Sequence, residues 1–246
     1  PFLSMNPFSS RCCQHNHAQG WPYYAEHLWM ATPDNGIAAM LYNSSEVTAK
    51  VGNAKEVTLK QTTNYPFDEK ILIAVESAAA VEFPLYLRIP SWCSNATVMI
   101  NGKAIETTID ASSYARIERK WNNGDKVEIT LPMQLALRTW DKNKNSVSVN
   151  YGPLTFSLKI DETYAKVDSK KAAVWDSKWQ ENADQSKWPA YDIYPTSMWN
   201  YGLALNAMPL NQQLQVVKKA WPAGNFPFTQ NDVPIAIKAK GKLIKC

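Results

Sequence analysis

Leu85-Tyr86-Leu87-Arg88-Ile89-Pro90 sets an aliphatic side chain at every second position and then stops on a proline. A period of two is what a strand with one buried face requires, and Pro90, which has no N–H to give to a neighbouring strand, ends it. Outward from this stretch, strand-like runs recur at short, regular intervals: Ile37 to Tyr42, Glu46 to Val51, Glu56 to Thr63, Ile71 to Glu76, Glu82 to Ile89, Ala96 to Ile100, Tyr114 to Arg119, Lys126 to Leu131 and Ser146 to Asn150. Asn101-Gly102 supplies the positive φ angles of a tight hairpin turn, and Asn122-Asn123-Gly124-Asp125 offers the same chemistry before the next run. Many short strands punctuated in this way predict an antiparallel β-sandwich.

Upstream the period changes. Before the turn formers Thr32-Pro33-Asp34-Asn35-Gly36, residues 12–31 read as helical in two pieces, Gly20 closing the first and Pro22 opening the second. Tyr24, Leu28 and Ala31 recur at helical spacing and predict one buried face. The pattern is that of the last helix or two of a helical domain lying upstream. Downstream, from about Asp161 to Trp199, Lys, Asp, Ser and Trp mix without period over a length too great for a plain loop, and a partly structured excursion is expected. Tyr201 to Asn206, Leu214 to Val217 and Pro234 to Ala239 then resume as strands. The expected organisation is residues 1–35 as the end of the helical domain, 36–160 as the sandwich, and 161–246 as the excursion with further strands. No repeat of fixed period and no low-complexity tract is visible.

With 45% apolar and 20% charged residues in 246, disorder is excluded as the default. The 26 basic and 22 acidic residues leave a mild net charge of +4, spread along the chain. Nucleic-acid binding needs a clustered basic face, and none is present. No stretch approaches the roughly 20 apolar residues of a membrane span. The opening Pro1-Phe2-Leu3-Ser4-Met5-Asn6-Pro7 and the end at Cys246, without a polar tail, predict a piece of a longer protein. Aromatics are abundant, with 10 Trp, 11 Tyr and 7 Phe. Trp121, Trp140, Trp175, Trp179, Trp188 and Trp199 stand in polar contexts that suit stacking on sugar rings, although a sandwich core also buries rings of this size.

The chemistry concentrates at Arg11-Cys12-Cys13-Gln14-His15-Asn16-His17. Adjacent cysteines bridge each other only through a strained ring, and with Cys93 in a Trp-Cys-Ser loop and Cys246 terminal, the four thiols do not form a disulfide framework. On a helix Cys12 faces Asn16 and Cys13 faces His17, each pair one turn apart. Thiolate and imidazole suit Zn²⁺, so metal ligation is one reading. A helix N-terminus and the Arg11 cation lower a thiol's pKa, so a nucleophile is another. Buried structural thiols are a third. Neighbouring residues on a helix diverge by about 100°, so His15 and His17 fit packing, or support of a ligand from behind, better than membership of one four-ligand site. Glu26 follows on the same helix, where an exposed surface role is expected. Asp68-Glu69 and Asp161-Glu162 are turn neighbours and cannot supply the carboxylate separation of about 5 to 9.5 Å that ordinary glycosidases need.

Cys12-Cys13-Gln14-His15-Asn16, then Trp21-Pro22-Tyr23-Tyr24 and Leu41-Tyr42-Asn43, resembles the paired-cysteine segment of the β-L-arabinofuranosidase family of glycoside hydrolases. Further matches follow in family order: Thr62-Thr63-Asn64-Tyr65-Pro66-Phe67, Leu87-Arg88-Ile89-Pro90-Ser91-Trp92, Val98-Met99-Ile100-Asn101-Gly102, Trp121-Asn122-Asn123-Gly124-Asp125, Leu131-Pro132-Met133 and Tyr151-Gly152-Pro153-Leu154. They cover roughly residues 11 to 160, with a looser return at Trp199-Asn200-Tyr201-Gly202-Leu203. The resemblance implies a mainly β chain, jelly-roll-like antiparallel sandwiches preceded by the last helices of an (α/α)6 barrel. It also implies retaining hydrolysis of β-L-arabinofuranosides or related plant-polysaccharide sugars. Cys12 would be the nucleophile and a zinc ligand and Cys13 a second zinc ligand; beside them, His15 and His17 are expected as substrate-binding residues. The acid/base Glu and the remaining Glu and Cys ligands would lie upstream of this chain, in the missing helical barrel, which leaves the fragment alone inactive. The implied partner is an oligosaccharide, with no nucleic acid and no membrane, and the implied compartment periplasmic or secreted. A non-catalytic sugar-binding or structural sandwich is the competing reading, and a zinc-stabilised interaction module a third.

Overall fold

The computed structural model describes residues 12–105, 109–172, 179 and 181–244; for Cys12, Cys13, Gln14, His15, His17 and Ala18 it describes the backbone and not the side chains. The chain opens on α1 (Cys12–Glu26) and passes into β1 (Trp29–Ala31), β2 (Ile37–Ala39), β3 (Ser45–Val51), β4 (Lys55–Thr63), β5 (Lys70–Ser77), β6 (Val81–Ile89), β7 (Thr97–Ile100), β8 (Lys103–Ala104), β9 (Ser113–Trp121) and β10 (Lys126–Thr130). A meander follows: β11 (Leu135–Trp140), β12 (Ser146–Tyr151) and β13 (Leu154–Phe156). Then come β14 (Glu162–Val167), α2 (Ser169–Ala172), β15 (Ala190–Pro195), β16 (Tyr201–Leu203), α3 (Leu210–Gln213), β17 (Leu214–Lys218), β18 (Ile235–Ala239) and β19 (Gly241–Leu243). The structure is thus mainly β, as the alternation predicts. Among the described residues no helix is long and apolar enough to cross a membrane.

Two compact units divide the chain. The larger comprises Tyr24–Ser157 and Ala207–Lys238. Its heart is a four-stranded sheet, β1-β2-β6-β9, and a six-stranded sheet, β3-β4-β5-β10-β7-β8, whose inner faces share one hydrophobic cluster. The period-two pattern produces that core directly: Val81, Phe83, Leu85, Leu87 and Ile89 of β6 are buried, as are Ile71, Ile73 and Val75 of β5 and Val127 and Ile129 of β10. Trp121, fully buried, packs against Phe83 with ring centroids 5.8 Å apart and donates from its indole nitrogen to the Phe83 carbonyl at 3.0 Å. A buried indole keeps its hydrogen bond in this way.

Three features depart from the sequence reading. Residues 12–26 form one helix, with Gly20 and Pro22 inside it, rather than two pieces. Trp29–Ala31 continues as strand, not helix, because Leu28 and Trp29 enter the core and β1 pairs with β2 from Trp29↔Ala39 to Ala31↔Ile37. Burial and ladder bonds outweigh a local helical spacing. The sandwich is also not wholly antiparallel: β2 runs parallel to β6, Ile37↔Leu85 to Ala39↔Leu87, since the intervening β3, β4 and β5 belong to the other sheet and the chain returns in the same direction. Pro84 lies one residue before that parallel register begins, opposite Glu118 of β9.

The turns behave as their residues dictate, with one change of role. Asn101 and Gly102 both take positive φ, 51° and 78°, and join β7 to β8 as a hairpin. Asn122–Asp125 instead carries the chain from β9 in one sheet to β10 in the other. Asp125, buried, holds this crossing: its carboxylate accepts the Asn122 amide at 2.9 Å and the Asn101 side-chain amide at 2.8 Å, with Arg119 at 3.6 Å. The larger unit also holds the sheet β11-β12-β13 and the pair β17-β18.

The smaller unit takes the described residues up to Tyr23, Leu158–Asn206 and those from Ala239. Here the aperiodic stretch after Asp161 acquires order: β14 pairs with β15 from Glu162↔Pro195 to Val167↔Ala190. Ser169, buried, donates to the Trp188 carbonyl at 2.8 Å and accepts from the Ala190 amide at 3.1 Å. β16 pairs with β19, so the last strands form separate two-stranded sheets.

Candidate active site

Cys12 and Cys13 are the first two residues of α1, with His15 and His17 within its next turn and a half. The helical backbone sets Cys12 one turn from Asn16 and Cys13 one turn from His17, as the spacing predicts. Asn16 is exposed. The four chemistry-bearing side chains themselves lie outside the described atoms, as does all of Arg11. Among the described residues no group of three His, Cys, Asp or Glu side chains could hold a metal ion.

The last turn of α1 is anchored by residues that composition alone did not single out. Tyr24 hydrogen-bonds to the Asn43 side chain, and burial raises its phenol pKa against that bond. Tyr42, buried, donates its hydroxyl to the Arg88 carbonyl at 2.7 Å and packs edge-on against Tyr65, centroids 5.9 Å apart at 73°. The Trp92 indole donates to the Tyr65 hydroxyl, while burial raises the Tyr65 pKa. Gln61, buried, donates to the Asn43 carbonyl at 2.6 Å. The segments Leu41-Tyr42-Asn43, Tyr65-Pro66-Phe67 and Arg88-Ile89-Pro90-Ser91-Trp92 therefore meet at one end of the sandwich, where α1 enters it. They were legible as ordered motifs, but their convergence is a property of the fold.

The other thiols and carboxylates offer no competing centre among the described residues. Cys93 is a buried free thiol whose pKa is pushed up by burial, the opposite of what a nucleophile needs. Glu26 is exposed on α1. Glu69 accepts the Met133 amide at 2.9 Å, and Glu162 accepts the Tyr164 hydroxyl at 2.6 Å, so both serve local structure. Of the tryptophans considered for sugar stacking, Trp121 is wholly core, Trp179 and Trp188 are half-buried, and Trp175 lies outside the described residues. Trp140 and Trp199 are exposed, the former beneath Arg138, whose guanidinium sits 3.7 Å from the ring centroid.

Fold and site together define a class: a two-sheet β-sandwich preceded in the chain by a helix that carries vicinal cysteines. Residues 36–133 match the family model described as "Beta-L-arabinofuranosidase, GH127 middle domain". No curated protein sequence matches the chain. Among solved structures the chain is similar to a GH127 β-L-arabinofuranosidase from Geobacillus stearothermophilus T6, with 22% identity and a TM-score of 0.54 over 75% of this chain and 34% of that one. It is similar to a glycoside hydrolase at 23% identity and a TM-score of 0.54, over 76% of this chain and 37% of the other. A GH127 β-arabinofuranosidase gives 23% identity and 0.53, over 67% and 31%. At these identities the likeness is one of fold. The chain spans about a third of the length of the structures it matches.

Proposed function

We propose that this chain is the C-terminal part of a retaining glycoside hydrolase that acts on β-L-arabinofuranosides or related plant-polysaccharide sugars. The observation that carries the reading is the order of parts: a helix opening on Cys12-Cys13 leads directly into a segment, residues 36–133, that matches the middle domain of the arabinofuranosidase family. The donor chemistry fits Zn²⁺ in kind, since two thiols suit it, and is incomplete in number, since a closed shell takes four ligands. Cys12 and Cys13 would hold the ion together with groups outside this chain. A bound Zn²⁺ supplies a thiolate at neutral pH without a separate base.

In this reading the Cys12 sulfur attacks the anomeric carbon, a C–S bond forming as the glycosidic C–O bond breaks. The departing oxygen takes a proton from an acid outside these residues. Water then displaces the sulfur, as thiolate, from the opposite side and gives its proton to the conjugate base of that acid, so two inversions retain the configuration. Tyr24, the residue at which the last turn of α1 joins the larger unit, is held by the Asn43 side chain. His15 and His17 would border the sugar.

The test uses the protein that carries this chain, assayed on a chromogenic β-L-arabinofuranoside with metal content measured alongside. Cys12→Ser should abolish turnover, by at least about a thousandfold, because a hydroxyl at neutral pH is not an activated nucleophile. Cys13→Ser should lower retained zinc. Full activity in the Cys12→Ser variant would sink the reading, as would hydrolysis by the 246-residue chain alone.

A further inference from the structure

A groove of about 690 Å³ lies within the larger unit, between α3 with β17 on one side and the root of the β11-β12-β13 sheet on the other. Its size is within the range of small-ligand sites, roughly 300 to 1,000 Å³. Apolar side chains form the walls: Met133 and Leu135 on the sheet side, Leu210 and Leu214 opposite. Four uncharged polar groups stand among them, from Gln134, Tyr151, Asn211 and Gln215, and no charged side chain lines the groove.

The floor is built rather than incidental. Met133 lies directly over Gly152, which takes φ +55° and where a Cβ would come within 2.5 Å of the Met133 Cγ. Glu69, behind the floor, accepts the Met133 amide and the Tyr151 hydroxyl. Burial and the facing Glu69 carboxylate raise the Tyr151 pKa, so the phenol stays protonated. With its proton committed to Glu69, the Tyr151 oxygen has a lone pair left to accept a hydrogen bond. Among the described residues the side-chain amides of Gln134, Asn211 and Gln215 make no hydrogen bond to protein. Each presents two donors and an acceptor.

We infer that this groove is an accessory site for a short neutral oligosaccharide, separate from the cysteine pair. These exposed amides suit a ligand rich in hydroxyls, since each hydroxyl both donates and accepts. The lack of charge disfavours acidic sugars and phosphates, which would be desolvated without a counter-ion. Apolar walls accept the C–H face of a sugar ring. The choice of arabinofuranosyl units rests on the glycosidase reading above; the neutral, polyhydroxylated character does not.

The experiment titrates the 246-residue chain with arabinotriose, cellotriose and tri-galacturonic acid, following amide chemical shifts. Arabinotriose should shift signals of residues 133–135, 151 and 210–216 at millimolar concentration, and tri-galacturonic acid should not. The Asn211→Leu/Gln215→Leu variant, both positions being exposed, should keep its folded spectrum and bind at least about tenfold more weakly. No shifts with either neutral sugar, equal binding by the double variant, or preferential binding of tri-galacturonic acid would overturn the site. Groove binding of cellotriose and not arabinotriose would overturn the arabinofuranosyl assignment. Loss of hydrolysis in Cys12→Ser with groove binding unchanged separates the two readings, since failure of either leaves the other standing.

Discussion

Trp121 shows how much one side chain carries. It is wholly buried, stacked near Phe83 and bonded to its carbonyl, and it ends β9 at the turn that changes sheets. Trp121→Ala should lower stability by about 3 to 5 kcal/mol, the range for large-to-small core changes, measured by urea denaturation with the slope unchanged. Trp121→Phe should cost less, but leaves the Phe83 carbonyl without its donor. The polar context of Trp121 in the sequence, Lys120 before it and Asn122 after it, left open whether the ring faces a sugar or the core. Burial was decided by its place on the inward row with Ala115 and Ile117, which only the register with β6 makes certain. Gly52 makes the same point for backbone. It takes φ +55°, and a Cβ there would meet the Glu82 carbonyl at 2.3 Å. Gly52→Ala should destabilise by more than about 1 kcal/mol, with a lower thermal midpoint as the readout.

At the scale of elements, acidic side chains hold the turns. Asp34 accepts from Thr32 at 2.5 Å, from Tyr86 at 2.6 Å and from Arg116 at 3.2 Å, which pulls its pKa down to about 2 and ties the turn before β2 to the outer face of β6 and β9. A folded pKa below the unfolded value of 3.8 means that the stabilisation is present above pH 3.8 and is lost as pH falls towards 2. Asp125 has its pKa lowered as well, burial being outweighed by the Asn122 and Asn101 bonds and by Arg119. The urea midpoint should therefore fall between about pH 4 and pH 2, and Asp34→Asn should flatten that fall. Asp125→Ala, which removes the acceptor of both the Asn101 side-chain amide and the Asn122 N–H, should cost about 1 to 3 kcal/mol at neutral pH. Elements with a clean period of two, β4 to β7, β9 and β10, were legible in the chain because one face is buried and the other wet. β14 and β15 were not, since β14 is almost wholly exposed and β15 mostly half-buried, and little alternation remains to be read.

For the whole molecule, the larger unit holds the two-sheet sandwich and the segment that matches the arabinofuranosidase middle domain, while Cys12 and Cys13 belong to the smaller unit's share of α1. That division suits the proposed role, in which this chain brings a nucleophile and two ligands to a centre completed elsewhere. Zinc retained by the protein that carries this chain should fall on chelation together with activity, and alkylation of Cys12 should speed up as the metal leaves.

Hydrophobic period, turn chemistry and the vicinal thiols are local properties, each written within a few residues. The chain alone therefore specified most strands of the sandwich, the Asn101-Gly102 hairpin and the helical character of the segment that carries the cysteine pair. Pairing is a property of distant segments, and it required the folded molecule: the parallel join of β2 to β6, the conversion of Trp29–Ala31 to strand, the sheet-changing role of Asn122–Asp125, and the contacts of Tyr24 with Asn43 and of Tyr65 with Tyr42 and Trp92. The join of β2 to β6 pairs residues 48 positions apart, where the free energy of burial and of ladder bonds outweighs what any short stretch prefers.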